Sequence, residues 1–324
     1  MKGTAAGLIL LPGCWLLFQK RGGVVLLHQG MLLLMLNEMI VWNYHAEYNM
    51  SLTEGQTSNY LRDIRTTELA LIDRSGKEKD QHFVVPMNAL LANAEKNAKA
   101  VNKEGVVDSK ALKPIPDPQG ILPVSVTVLK YVRNGDVRKL KDGEKTPASK
   151  GIGETYAIVE RTAAKGTDTE GTPDFGAAYV QFKDKKSGKD LGTYLIAQAI
   201  TEQDNPKVYE EVADGDKTYL AALRFKRKFV PFTLHLKDVR KDDYLASNTP
   251  KNYSSDVLLK DPDSGVSSDV HIKMNDPLRY SDMTIYQSGY QVLPSGVEHT
   301  TLQVVQNVGW MIPYVASMII MVGM

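Results

Sequence analysis

Val24 to Trp42 is apolar over about 19 residues, roughly 28 Å as a helix and long enough to cross the hydrocarbon core of a bilayer. Lys20 and Arg21 precede it, and Trp42 and Tyr44 close it. Basic residues mark the cytoplasmic flank of a membrane helix and aromatic rings favour the interface. The pattern predicts a helix that starts at the inner face and emerges outside near Trp42, with residues 19–23 as a tight cytoplasmic turn. A buried helix of a soluble protein matches the length but not the flanks.

The two ends of the chain are apolar and the middle is polar, so a mean hydropathy of -0.26 averages two different materials. Ala5 to Phe18 is a shorter apolar run, interrupted by Pro12 and Gly13. It falls below the ~20 residues a spanning helix needs. A shortened transmembrane helix fits it; a signal peptide is the alternative, although Gln19-Lys20-Arg21 follows rather than a small-residue cleavage site. Val308 to Met324 carries no charge, has Trp310 and Tyr314 near its start, and is expected to run back inward. With no basic flank after it, the natural protein or its partner is expected to continue there.

The expected organisation is therefore an N-terminal transmembrane region over 1–42 (helices about 5–18 and 24–42), an extracytoplasmic domain over 43–307, and a C-terminal transmembrane helix over 308–324. The middle region holds about eleven strand-like segments in which β-branched and aromatic residues alternate with polar ones. They are 67–73, 82–86, 125–132, 155–161, 177–182, 218–226, 232–239, 255–259, 269–274, 284–290 and 300–305. Ser51 to Ser58 is turn-rich, Asn134-Gly135-Asp136 and the segment 261–265 are turn clusters, and Lys141–Lys150 and Lys165–Pro173 read as surface loops. One helix is predicted over Met87–Asn102, followed by a Pro-rich linker over 114–118. Many strands and little helix predict a mostly-β sandwich or open barrel between flanking transmembrane helices.

Net charge is +1, with 39 basic and 38 acidic residues, and no basic cluster of the kind a nucleic-acid surface needs. The single cysteine, Cys14, excludes an internal disulfide and any Cys-x-x-Cys haem attachment or thiolate metal site. Gly151-Ile152-Gly153 has two of the three glycines of a dinucleotide fingerprint but opens no βαβ unit. No Walker, His-Glu-x-x-His or Gly-x-Ser-x-Gly sequence occurs, so ordinary hydrolase or transferase chemistry is not supported.

His28 differs from the other polar residues. It lies about 10 Å along the first clear helix, and ionisable groups at that depth face a partner, a cavity or a cofactor. Hydrogen bonding to a neighbouring helix is the competing explanation. Glu38 sits near the outer end, within reach of water. None of the outer histidines, His45, His82, His235, His271 and His299, pair at short metal-ligand spacing; His235 and His271 fall inside strands and read as structural, and only His45, close to the membrane exit, is kept as a distant ligand candidate.

Several segments resemble the ResB-like family of cytochrome c biogenesis proteins. They are the run Lys217–Val239, Asn248-Thr-Pro-Lys-Asn-Tyr-Ser-Ser-Asp256, Asn275-Asp-Pro-Leu-Arg-Tyr280 with Tyr286-Gln-Ser288, Leu302-Gln-Val-Val-Gln-Asn-Val-Gly-Trp310, and the histidine-bearing Gly23–Met31. Together they cover nearly the whole chain from Gly23. The resemblance implies system II machinery in a bacterial inner membrane: with a CcsA/ResC-type membrane partner, haem is carried outward and joined to apocytochrome c. It also implies that His28 matches the family's inner-side membrane histidine, a haem-iron ligand. Ser281-Asp282 and Val308 depart from the family pattern. With three tryptophans and no tryptophan-rich segment, this chain is not expected to be a complete synthetase alone. A membrane-anchored scaffold with no haem role is the alternative.

Overall fold

The computed structural model describes residues 13, 21–76, 80–100, 108, 111–163, 174–201, 206–245, 249–293, 296–306 and 308–324. The expected helix over 5–18, the loop over 165–173 and Asn307 lie outside the described residues, apart from Gly13. In chain order the elements begin with helix α1 (Gly22–Tyr44) and strands β1 (Ala46–Thr53), β2 (Thr57–Asp73) and β3 (Gln81–Pro86). Helix α2 (Met87–Asn97) follows, then β4 (Ser125–Val132), β5 (Gly135–Lys139), β6 (Tyr156–Glu160), β7 (Ala177–Lys183) and β8 (Asp190–Ala197). After the single turn α3 (Gln198–Thr201) come β9 (Glu210–Asp214), β10 (Lys217–Asp243), β11 (Pro250–Asp261) and β12 (Val266–Lys273). The chain closes with β13 (Leu278–Tyr280), β14 (Met283–Val292), β15 (Glu298–Gln306) and α4 (Ile312–Gly323).

The fold class read from the sequence holds: a membrane-length apolar helix leads into a mostly-β region. The chain divides into two compact units, one made of the described residues through Leu61 with Lys228–Met324, the other of Arg62–Arg227. Strands β2 and β10 each cross that division.

In the first unit the strand order is β12-β11-β10-β2-β1-β15-β14-β13. Alternation along β10 explains its inward face: Val230, Phe232, Leu234 and Leu236 are buried. A bulge between Leu236 and Asp238 shifts the period by one residue, so Val239 rather than Asp238 is the next residue inside. The two ends of the sheet face each other across this core. Phe232 meets the Tyr280 ring edge-on at 5.3 Å, Tyr280 donates to Asp261 Oδ2 at 2.6 Å, and Ser255 donates to Gln287 at 2.7 Å. A sheet curled over one apolar core is the expected open-barrel or sandwich arrangement.

Ser281 and Asp282 join β13 to β14 in a two-residue turn with φ of 47° and 59°. Both central positions left-handed is the type I′ geometry that favours Asn or Gly. The departure from the family pattern noted above therefore sits in a strained hairpin.

In the second unit β4-β7-β8 form one sheet and β5-β6 a ribbon, while β3 pairs with residues 68–73 and β9 with 217–221. The outer edge of β4 is covered by side-chain amides. Asn93 Oδ1 accepts the Val128 N–H at 2.8 Å, and Asn97 Nδ2 donates to the carbonyls of Val128 and Lys113 at 3.0 Å each. Asn97 Oδ1 accepts the Lys113 N–H at 2.9 Å. Two asparagines one helical turn apart thus stand in for a neighbouring strand, which protects an otherwise open edge.

Several expectations need correction. The turn-rich reading of Ser51–Ser58 is wrong: β1 runs to Thr53 and β2 starts at Thr57, leaving a turn at Glu54-Gly55, where Gly55 has φ +78°. The segments 218–226 and 232–239 are one strand, β10. Pro231 interrupts the propensity signal but falls between the part paired with β9, ending at Ala221, and the part paired with β11, starting at Thr233. Strand β8 escaped notice because residues 191–197 are all buried, giving a continuous rather than alternating pattern. Helix α2 ends at Asn97 and tightens into a 3₁₀ turn over Ala98–Ala100. Helix α1 continues to Tyr44, while α4 starts only at Ile312, with Pro313 in its first turn.

Candidate functional site

Helix α1 has 23 residues, about 35 Å, and α4 has 12, about 18 Å. Only α1 has spanning length among the described residues. Helix α1 packs against α4 and the turn before it through positions spaced by seven. A Cβ on Gly30 would meet Ala316 O at 2.9 Å and the Ile320 side chain; one on Gly323 would meet Gly23 O at 2.8 Å and Leu27 N at 2.9 Å. A Cβ on Gly309 would collide with Asn37 Oδ1. Gly23, Gly30 and Asn37 therefore meet Gly323, Ala316 and Gly309 in antiparallel order. Small residues are what allow two membrane helices to approach this closely. Asn37 is only 4% exposed, and its Oδ1 has no hydrogen-bond partner among the described residues.

His28 is half-buried on α1. At about 100° per residue it lies about 160° around the helix from Gly30, on the side away from α4. Its Nδ1 is 2.8 Å from Val24 O. A carbonyl only accepts, so Nδ1 carries the hydrogen, and in the neutral ring the lone pair belongs to Nε2. This is the tautomer that ligates metals through Nε2, with the other nitrogen held by a carbonyl. Met31 and Met35, on the same side of α1, are 57% and 64% exposed, and Glu38 is exposed.

His45 caps the end of α1 with the same local geometry, Nδ1 at 2.7 Å from Val41 O. It lies about 25 Å along the chain axis from His28, so the two imidazoles are not brought together. The remaining histidines have structural partners. His235 meets Thr57 Oγ1 at 2.9 Å, His299 meets Thr53 Oγ1 at 3.3 Å, and His271 Nδ1 meets Asp256 Oδ1 at 2.6 Å. His82 lies 3.3 Å from Arg224; burial, then the charge of Arg224, holds its pKa below the usual histidine value.

The dinucleotide-like glycines form a 3₁₀ turn. Gly151 has φ +71°, and the Ile152 N–H donates to Glu210 Oε1 at 3.0 Å. A carboxylate from the chain itself takes the N–H that a phosphate would need, and burial raises the Glu210 pKa. A cavity of ≈ 260 Å³ is lined by Pro114, Asp117, Leu122, Lys183 and Lys185 among others. Asp117 is already engaged by Lys185 Nζ at 2.5 Å and by the N–H groups of Ile121 and Leu122.

Sequence reasoning missed one grouping, because its members are far apart in the chain. Glu54, Asp238 and Glu298 place carboxylate oxygens within 4.8 Å of one another. Such a set suits a hard, oxygen-seeking cation. Two of the three are already committed: Glu54 Oε1 accepts the Val239 N–H at 3.1 Å, and Glu298 Oε1 accepts the Tyr290 hydroxyl at 2.5 Å. That bond to Glu298 pushes the Tyr290 pKa up to about 12.

An apolar helix of spanning length, paired with a second helix and continued by a large β region, defines a membrane-anchored, mostly-β protein. Residues 193–303 match the model of the ResB-like family. Over 95 residues, 29% of this chain, the sequence is 30% identical to Protein NrfI of Wolinella succinogenes. That match spans 10% of NrfI. Together the two matches support a ResB-like assignment for this chain.

Proposed function

We propose that this chain takes part in cytochrome c biogenesis, as a membrane-anchored ResB-like subunit whose His28 holds haem in transit. The β region lies outside the cytoplasm of a bacterial cell in this reading. A CcsA/ResC-type membrane protein completes the site, and apocytochrome c receives the haem. The observation that carries the proposal is the orientation of His28: its Nδ1–H is bonded to Val24 O, its Nε2 holds the lone pair, and its face of α1 is turned away from α4. The ResB-like match and the similarity to NrfI support the cytochrome c context.

Haem is cargo here, and a neutral imidazole is an ordinary axial ligand for its iron. The chain's own contribution is to hold the ring in one tautomer and to keep the ligand within an apolar helix that excludes water. His45, at the end of α1, is a second ligand position of lower standing, where haem would leave the helix. Thioether formation is assigned to the partner and the reduced cysteines of the acceptor, so the chain is an accessory subunit rather than an enzyme by itself.

The test is co-expression with a CcsA/ResC-type partner and absorption spectroscopy of the purified complex. His28→Ala is expected to lower haem content at least tenfold, with exogenous imidazole restoring part of the spectrum. Unchanged haem content and band positions would refute the ligand assignment and leave the scaffold reading. Cysteine labelling at Leu245 in sealed cells reports the side of the membrane; protection from an impermeant reagent would put the β region inside.

A further inference from the structure

Two cations of the first unit lie on aromatic rings at the places where the chain passes between helix and sheet. Arg279 Cζ is 5.8 Å from the Trp310 ring centroid, and Trp310 stands edge-on to Tyr314 at 6.4 Å. Trp310 stands two residues before the start of α4, and Tyr314 lies in its first turn. Lys228 Nζ is 4.9 Å from the Tyr48 ring and donates to Gln306 Oε1 at 2.9 Å. Gln306 is the register partner of Ala46, the first residue of β1 after α1. Both junctions are thus marked by a cation over a ring, with Trp42 and Tyr44 exposed at the end of α1.

We propose that this rim is a binding surface for the phosphates of anionic lipid headgroups, with Arg279 and Lys228 as its ligands. Tryptophan and tyrosine at the ends of apolar helices set the depth of the headgroup region. Arg279 and Lys228 are held at that depth by the same rings. Among the described residues neither makes an ion pair. The neighbouring carboxylates are engaged elsewhere in part: Asp261 accepts the Tyr280 hydroxyl and Asp276 lies 3.5 Å from Lys273, while Asp282 occupies the β13–β14 turn. An arginine whose guanidinium is set over an indole can still turn N–H groups to an oxyanion, and phosphate suits its fork geometry. The outcome would be a β13–β14 hairpin resting on the membrane surface rather than hanging from the helices. This inference rests on membrane anchorage and not on haem binding, so a negative His28 result leaves it standing.

The test uses the full chain in lipid nanodiscs of phosphatidylcholine carrying trace spin-labelled phosphatidylglycerol or spin-labelled phosphatidylcholine. The wild type is expected to retain the anionic label in the immobilised shell in preference to the zwitterionic one, and less so as salt is raised. Arg279→Gln and Lys228→Gln should each lower that preference about fivefold, from the contribution of one basic residue at a charged surface. Arg279→Lys should keep most of it, and unchanged circular dichroism shows that the variants fold. Equal retention of the two labels by the wild type, or unaltered preference in both glutamine variants, overturns the proposal. Loss of a co-purifying acidic protein with lipid preference intact would also overturn it, assigning the rim to a protein partner.

Discussion

The two units of this chain are both β-rich, but they differ in what they bury. The first closes its sheet over Met50, Leu52, Phe232, Leu234, Val257, Ile285 and Leu302, and its buried polar side chains include Ser255 and Thr300, which bond each other. The second unit buries an ion pair, Arg224 Nε to Glu68 Oε1 at 3.0 Å with the two side chains 3% and 7% exposed. It also buries Asn93, Asn97, Gln181, Gln198 and Glu210. Both units have an apolar core, and the second adds to its own a buried ion pair and several buried amides. Buried polar networks are sensitive to the loss of one member in a way that apolar cores are not.

Breaking the pair is the strongest way to separate the two. Arg224→Met leaves Glu68 buried without its cation and is expected to destabilise the second unit by about 3–5 kcal/mol. Peptide-resolved hydrogen exchange should show faster opening over 62–227 and little change over 250–306. The double variant Arg224→Met with Glu68→Leu should recover most of the loss. If both units open equally, they are not energetically separate.

A smaller effect is expected at the strand mimic. Asn97→Ala removes the partners of Lys113 N–H and Val128 O, leaves Lys113 O with Asn93 Nδ2 alone, and should cost about 2–3 kcal/mol. Denaturant midpoints and exchange at 125–132 would measure it; a loss below the error of the midpoint would mean that water replaces the amide. In the first unit the sign reverses. Asp282→Gly relieves a left-handed φ of 59° and should stabilise by about 1 kcal/mol, read as a rise in Tm.

The smallest effect is pH-dependent. Glu210 has a folded pKa raised by burial above its ordinary 4.5, so the native state holds its proton more tightly than the unfolded chain. Its contribution is fully present below about 4.5 and is lost as pH rises through the folded value. Glu210→Gln keeps an acceptor for the Ile152 N–H and should flatten that part of the stability curve. Urea midpoints across that range check this, and an unchanged slope would assign it to other groups.

The contrast also explains what the sequence disclosed. Alternation in β10, the Asx turn at Asp261, whose Oδ1 accepts the N–H groups of Asp263 and Ser264, and the apolar length of α1 are local, so they were readable. The burial of β8 on both faces removed its alternation, and β1 carries a mixed pattern that matters only against β15, where Thr53 meets His299. The carboxylates Glu54, Asp238 and Glu298 converge only after folding. His28 was legible as a costly residue at depth; its tautomer and its direction relative to α4 were not, because both depend on coordinates of Val24 O and Gly30.

The seven-residue match between α1 and α4 has a consequence in time. Roughly 270 residues separate Tyr44 from Ile312, and at about 5–20 residues per second their synthesis takes on the order of tens of seconds. Throughout that interval Gly23, Gly30 and Asn37 lack Gly323, Ala316 and Gly309, the residues they meet in the finished fold. Pairing of β1 with β15, Ala46 opposite Gln306, is the event that returns the chain to its starting point and delivers α4 to the waiting groove. A chain that stalls before β15 would therefore lack α4, and the face of α1 that carries Gly23, Gly30 and Asn37 would be without the residues that meet it in the finished fold.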